Sequence, residues 1–140
     1  GLVGSEMCIR DSVDPDARTP IYANAGHPAG ILLDRAGRLR EELESCGPPL
    51  GIFTDRAYPS SRAIQLEPGD FVVLYTDGIT ECSGPDESEF GAERVIELAK
   101  SHRRDPAHKI LEAIYEAACS FRSDGPQVDD MTAIVCKIEG

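Results

Sequence analysis

Short β-type runs of apolar residues occupy the first half of the chain, and apolar residues at helical spacing follow later. The most pronounced run, Phe71–Tyr75, is β-branched and aromatic and follows the turn Glu67-Pro68-Gly69-Asp70, which predicts a strand buried on both faces. Asp34 to Gly37 has the composition of a hairpin turn. Further strands are predicted over residues 29–33, 63–66 and 133–138, and residues 39–43 are expected to form a returning strand or a mixed segment.

Helical periodicity begins at Phe90 and predicts a helix over residues 90–99. Pro106 can open a second helix, since a missing N–H costs nothing in the first turn. Ile110, Ile114 and Phe121 form its apolar stripe. Strands gathered first and helices later, without regular βαβ alternation, predict an α+β domain with helices packed on an antiparallel sheet.

Composition narrows the class of protein. The chain has 140 residues, of which 41% are hydrophobic, and this suits one compact domain with a real core. Its 14 basic and 25 acidic residues give a net charge of -11, and no basic stripe is present that would follow a phosphate backbone. We therefore expect no nucleic-acid partner, and no run is apolar and long enough to predict a membrane segment.

The five cysteines are scattered, odd in number and without a CxxC pair. This pattern argues against a zinc site or a disulfide framework, and it predicts a protein of the reducing cytoplasm.

Acidic residues stand at two junctions with predicted strands. Asp77 directly follows the run ending at Tyr75, and Asp129-Asp130 precede the closing strand. Desolvating an unpaired carboxylate is costly, so we expect Asp77 to have a cap, a cation or a metal as its partner. If the two strands are antiparallel neighbours, these carboxylates meet at one edge of the sheet.

Oxygen ligands gathered in this way favour Mg²⁺ or Mn²⁺ over zinc. Two such ions, roughly 3.5 to 4 Å apart, can hold a water nucleophile and clamp phosphate oxygens. The alternative is that Asp77 and Asp129 only cap turns, and spacing alone does not decide between the two.

Other candidate chemistry is weaker. Residues 24–28, Asn-Ala-Gly-His-Pro, describe a tight, shaped loop. His27 in that loop has no serine or cysteine in a nucleophile-elbow pattern beside it, so it is expected to stabilise the loop. No glycine-rich nucleotide-binding motif occurs in the chain.

Taken together, the NAGHP sequence at 24–28, the YTDG sequence at 75–78 and the DDMT sequence at 129–132 resemble the PPM-type metal-dependent serine/threonine phosphatases. The resemblance is to their bacterial branch of sporulation and sigma-factor regulators, and it runs in the same order from about Val13 to Ile138. It implies an antiparallel β-sandwich flanked by helices.

The resemblance also implies roles for individual residues. Asp77 and Asp129 match metal ligands for Mn²⁺ or Mg²⁺ in a two-metal site, while Asp130 matches a position that shapes the turn or binds metal-bound water. Residues 24–28 match a loop near the site without a secure catalytic role. The implied substrate is a phosphorylated regulatory protein, an anti-sigma-factor antagonist, and a sensor or receiver domain is expected N-terminal to this region.

One departure from the family pattern concerns the N-terminal residues. The family's first metal-binding motif, which supplies a bridging aspartate, would lie before residue 24, and residues 1–23 contain no such element. Residues 1–12, GLVGSEMCIRDS, resemble the translated read-through of a sequencing adaptor. We therefore expect residues 13–140 to be the C-terminal part of a phosphatase domain that binds metal weakly and turns over poorly. A non-catalytic interaction module with a degenerate phosphatase fold is the alternative.

Overall fold

The computed structural model describes residues 19–49, 51–53, 57–86, 88–122 and 130–140. Three strands come first, the helices follow, and a closing strand comes last, which is the order that the pattern predicts for the strands and the two longer helices. The strands are β1 (Gly30–Leu33), β2 (Leu39–Leu43), β3 (Phe71–Tyr75) and β4 (Ala133–Lys137). The helices are α1 (Asp77–Thr80), α2 (Gly91–Ser101) and α3 (Ala107–Phe121).

The four strands form one antiparallel sheet in the order β2-β1-β3-β4. In its interior β1 pairs with β3, with Ile31 opposite Val73, and β3 pairs with β4, with Tyr75 opposite Ala133. The hairpin turn between β1 and β2 is confirmed: the Asp34 carboxylate accepts hydrogen bonds from the backbone N–H groups of Ala36 and Arg38.

The prediction of a strand over residues 63–66 is wrong. That segment forms no ladder, and it is held by single backbone bonds, such as the 3.1 Å bond from Ile64 N–H to the Pro20 carbonyl. Ile64 and Leu66 are nevertheless buried, because they lie across one face of the sheet. The alternating apolar residues of this segment therefore predicted its burial correctly, but they did not predict whether it pairs with another strand.

The two faces of β3 differ in burial. Phe71, Val73 and Tyr75 are fully buried on the face that α2 and α3 cover, whereas Val72 and Leu74 are only half-buried on the other. The expectation of a strand buried on both faces is thus met on one face alone. Apolar composition did not distinguish the two faces, because both carry large aliphatic side chains.

The helices cover the first face through the residues at helical spacing. Ile110, Ile114 and Ala118 of α3 are fully buried, and Val95 and Ala99 of α2 meet the same cluster. Pro106 stands one residue before α3, where its φ of -63° already suits the helix.

Of the helices in the described part of the chain, the longest has 15 residues, and none is both long and apolar enough to cross a membrane.

A second, smaller apolar cluster lies on the opposite face, formed by Leu32, Leu43, Ile64 and Leu66. Beside it is an apolar cavity of about 310 Å³. Towards β4 this face becomes open, and Ile134 there is 51% exposed. The sheet is therefore well covered on one face and only in part on the other by the described residues.

We expect the thiols of the buried and the exposed cysteines to differ in how fast they react with a labelling reagent. Cys82 is buried, with its thiol 3.5 Å from the Ala118 carbonyl oxygen, and burial raises the pKa of the Cys82 thiol. Cys136 is exposed on the open face. Because the thiolate is the reactive form, maleimide should label Cys136 quickly in the native protein and Cys82 only after unfolding, as followed by peptide mass spectrometry. Equal native labelling of the two thiols would contradict the fold.

A buried ion pair fixes the end of β3 opposite to Asp77. The Asp70 side chain is 2% exposed and accepts hydrogen bonds from the Arg40 guanidinium and from the Glu67 backbone N–H. Arg40 also donates to the Gln65 carbonyl at 3.1 Å. This set of bonds ties the turn before β3 to strand β2.

Candidate metal centre

Asp77 is placed at the sheet edge by the helical turn that follows β3. It is the first residue of α1, and the Gly78 backbone N–H donates to its Oδ1 at 3.0 Å. Its carbonyl accepts from the Glu81 N–H at 2.7 Å, which closes the turn. Asp77 is exposed, so its carboxylate is not desolvated, and the cap, cation or metal expected as its partner stays a prediction. The carboxylate is instead accessible to a ligand from solvent.

Thr76 connects the end of β3 to the start of β4. Its N–H donates to the Thr132 carbonyl at 3.0 Å, and its hydroxyl donates to the Asp130 carbonyl at 2.9 Å. The Thr132 N–H in turn donates to the Thr76 hydroxyl at 3.0 Å. The expected meeting of these two strand ends at one edge is therefore confirmed, although sequence reasoning assigned no role to Thr76. The sequence did offer one indication of this role, since Thr76 stands between the apolar run that ends at Tyr75 and the acidic residue Asp77.

The second predicted ligand, Asp129, lies outside the described residues. Asp130 is described, and its backbone carbonyl accepts the hydrogen bond from the Thr76 hydroxyl. The implied role of Asp130, to shape the turn or to bind metal-bound water, stays a prediction. Within the described ranges no three carboxylate, imidazole or thiol groups come together as a metal site. Asp77 thus supplies a hard oxygen donor of the kind that Mg²⁺ and Mn²⁺ prefer, and the shared site with Asp129 stays a prediction.

The loop at residues 24–28 is shaped by a buried amide. Asn24 is 4% exposed, and its Nδ2 donates to the carbonyls of His27 and Leu43 at 3.1 and 3.2 Å. Its Oδ1 accepts from the His27 N–H at 2.8 Å. The predicted tight loop is therefore confirmed, and it is anchored to the end of β2.

His27 lies nearer to the candidate site than the sequence indicated. Burial lowers the pKa of its imidazole, while the Asp77 carboxylate and the Tyr75 carbonyl act in the opposite direction. The ring therefore lies within electrostatic range of the end of β3 and the start of α1. The sequence suggested only a loop-stabilising histidine, because the position of the 24–28 loop relative to the end of β3 is not visible in a local motif.

Gly26 has a second reason to be glycine besides its φ of +79°. A Cβ atom at this position would lie 2.5 Å from Cδ of Pro49, in the neighbouring loop. Gly51 has a similar φ of +86° with open space around it, so it provides a matched control. Replacing either residue with alanine adds left-handed strain of about 1 kcal/mol, and the clash at Gly26 adds about 1 to 3 kcal/mol more.

We therefore expect Gly26→Ala to unfold at clearly lower urea concentration than Gly51→Ala. Equal midpoints for the two variants would show that the packing of residue 26 against Pro49 is not present in solution.

Comparison with known proteins places this arrangement in a family. Residues 5–139 match the family described as Stage II sporulation protein E (SpoIIE). The chain belongs to this family. The resemblance to PPM-type phosphatases of the sporulation and sigma-factor branch is thereby confirmed, and so is the α+β fold of that class.

Individual relatives agree with the family match. Phosphoserine phosphatase RsbU of Bacillus subtilis is 34% identical over 118 residues, which are 83% of this chain and 34% of that protein. The SiaA-PP2C domain of Pseudomonas aeruginosa superposes with a TM-score of 0.77 at 24% identity, over 90% of this chain and 49% of that one.

A third relative is known from a structure determined after treatment with manganese. The phosphatase domain of the cell fate determinant SpoIIE from Bacillus subtilis, presoaked with Mn, gives a TM-score of 0.69 at 19% identity, over 96% of this chain and 57% of that chain. The chain thus spans about a third of RsbU and about half of the two structural relatives.

Proposed function

We propose that this SpoIIE-family chain forms part of a metal-dependent phosphatase domain, which hydrolyses phosphoserine or phosphothreonine on a regulatory protein. The observation that carries the proposal is the Thr76 connection, which joins the strand end that bears Asp77 to the segment beginning at Asp130. An acid on one strand end and an acidic segment on the next are the arrangement that an oxygen-ligand metal site requires.

Asp77 and Asp129 are the proposed ligands, and the metal is Mn²⁺ or Mg²⁺. Two such ions, when bound, supply a water nucleophile at neutral pH and a clamp for the phosphate oxygens. The chain's own contribution is to hold the donors. The Gly78 N–H fixes one oxygen of Asp77, and Thr76 fixes the backbone on both sides of the junction. No residue of the chain is proposed as a covalent nucleophile.

The substrate class comes from the family. RsbU is a phosphoserine phosphatase, and we extend that activity to a phosphorylated regulator, an anti-sigma-factor antagonist, as the partner of this protein. A sensor or receiver domain N-terminal to this region belongs to the same proposal, as does a cytoplasmic location. The free thiols of the four described cysteines fit a reducing compartment.

We further propose that residues 1–12 are not native and that residues 13–140 are the C-terminal part of the domain. The length of the relatives supports the second part of this proposal, since each contains substantially more chain than the region that matches. The family match itself begins at residue 5, within the segment proposed as non-native. On this proposal, the bridging aspartate of the site lies in a part of the protein upstream of residue 24.

Metal removal tests the proposal. We expect the protein expressed from the complete reading frame to release phosphate from a phosphoserine protein, to lose this activity in EDTA, and to regain it with added Mn²⁺. Activity that is unchanged after exhaustive chelation would contradict the metal-dependent mechanism.

A non-catalytic interaction module is the second candidate. A complete protein without phosphate release at any Mn²⁺ or Mg²⁺ concentration would support this candidate over the first.

A further inference from the structure

A small cavity opens beside the helical turn that bears Asp77. It has a volume of about 190 Å³, and its wall is formed by the sheet, by α1 and by the first half of α2. Thr80, the last residue of α1, lines it, and the Thr80 hydroxyl lies 3.4 Å from the Asp77 carbonyl oxygen. Residues three apart on a helical turn are neighbours, with Cβ atoms about 5 to 6 Å apart. The cavity therefore borders the position of Asp77.

The cavity combines an apolar floor with one ionised group. Ile31 of β1 and Ile96 of α2 supply aliphatic surface, and Pro28 adds to it at the start of β1. Glu42 of β2 is the ionised side chain among the lining residues. It pairs with Ile31 in the β1–β2 ladder, and directly opposed residues of such a ladder have Cβ atoms about 4.5 to 5.5 Å apart. The carboxylate thus lies beside the apolar floor.

The Glu42 carboxylate is available to a ligand. It is exposed, and within the described ranges no basic side chain forms an ion pair with it, whereas the preceding Glu41 lies 2.9 Å from the Arg62 guanidinium. The other polar groups of the wall are the Thr80 hydroxyl and the Tyr75 phenol, which stays neutral because burial and the Glu42 carboxylate both raise its pKa. Aliphatic surface beside a single carboxylate suits an alkyl chain that ends in a positive charge, as in lysine and arginine.

We infer that this cavity is a substrate subsite, which takes a lysine or arginine side chain two residues away from the phosphorylated serine or threonine. Alternate side chains of an extended peptide point the same way and lie about 6.5 to 7 Å apart. That spacing is close to the separation of Asp77 and Thr80, so a phosphoserine at Asp77 brings such a side chain to the cavity. The role as a subsite rests on the proposed function, but the preference of the cavity for a cationic chain does not.

Phosphatase assays on matched peptides test the preference. The protein expressed from the complete reading frame is given phosphoserine peptides with lysine, norleucine, glutamate or alanine at the two positions that lie two residues from the phosphoserine. We expect KM to be about fivefold lower for lysine than for norleucine at similar kcat, because a solvent-accessible ion pair is weak and lies away from the reacting bond. Glu42→Gln should remove this difference, and Glu42→Lys should favour the glutamate peptide.

Glu116→Gln is the matched control, since it makes the same change at an exposed glutamate of α3, and it should keep the wild-type preference. A wild-type protein that does not distinguish lysine from norleucine would overturn the inference. So would a lysine preference that persists in Glu42→Gln. If Glu42→Lys does not fold, the wild type and Glu42→Gln decide.

Ala92→Met tests the cavity rather than the charge. Ala92 is an exposed residue in the first turn of α2 that lines the cavity, and methionine is a good helix former. The longer side chain should fill part of the space and raise KM about fivefold for the lysine peptide, with little change for the alanine peptide. Equal increases for both peptides would show that the cavity does not hold this side chain.

A binding measurement separates this inference from the proposed function. Unphosphorylated forms of the same peptides are added at millimolar concentration to the nitrogen-15-labelled complete protein. The lysine peptide should shift the amide signals of Ala29, Thr80 and Ala92 more than the norleucine peptide does. If no peptide releases phosphate, the proposed function fails, and these shifts alone decide the cationic preference of the cavity. Equal shifts with the two peptides would overturn it.

Discussion

Asp77→Asn in the protein expressed from the complete reading frame is expected to lower Mn²⁺-dependent phosphate release by about 100-fold or more, equivalent to about 3 kcal/mol in the activation barrier. The amide has the shape of the carboxylate and can still accept the hydrogen bond from the Gly78 N–H, so the turn into α1 should persist. The negative charge that a divalent cation requires is lost. Phosphate release from a phosphoserine protein substrate, measured across a Mn²⁺ titration, gives the result.

Asp86→Asn is the control for this prediction. Asp86 is an exposed aspartate in the polar loop after α1, and its contacts are to Ser88. This variant should retain activity within about twofold. The double variant Asp77→Asn with Asp129→Asn should be little worse than Asp77→Asn alone, because two ligands of one site act as a unit. Full activity in the double variant would show that the metal ligands lie elsewhere.

Asp70→Ala is expected to cost about 3 kcal/mol in the free energy of unfolding. The substitution removes the acceptor of both the Arg40 guanidinium and the Glu67 N–H in a site where Asp70 is 2% exposed. Breaking a buried pair by removing one partner costs about 3 to 5 kcal/mol, and Arg40 is partly exposed, so we expect the lower end. Urea unfolding followed by circular dichroism measures the loss.

The matched control for Asp70 is an exposed ion pair. Glu97 of α2 lies 3.4 Å from the Lys100 ammonium, with both side chains at least half exposed. Glu97→Ala should change stability by less than about 0.5 kcal/mol, because solvent screens such pairs. If the two variants lose similar amounts of stability, Asp70 is not the buried anchor of the turn before β3.

The paired strands and both longer helices were predictable because each rests on a local pattern. The β-branched run at Phe71–Tyr75 forms β3, and the spacing of Ile110 and Ile114 gives the buried face of α3. The segment at residues 63–66 shows the limit of this kind of pattern. Ile64 and Leu66 alternate as in a strand and are buried, but ladder pairing depends on a neighbouring strand that local sequence does not specify.

The candidate site was predictable only where it rests on a local pattern. Asp77 could be identified by its position after a buried strand, and the meeting of β3 and β4 followed from their antiparallel pairing. The exposure of Asp77, the Thr76 connection and the electrostatic effect of Asp77 on His27 could not be predicted from local sequence. Each depends on how the ends of three strands are arranged at one edge of the sheet.

Paramagnetic broadening by Mn²⁺ tests the central claim, a divalent-metal site at the junction of β3 and β4, most directly. In a nitrogen-15 spectrum of the chain, small additions of Mn²⁺ should first remove the amide signals of Asp77, Gly78 and Asp130, and Mg²⁺ should compete. Signals of the acidic outer surfaces of α2 and α3 should persist at the same concentration. Early loss of those helix signals, with Gly78 untouched, would contradict a metal site at this edge.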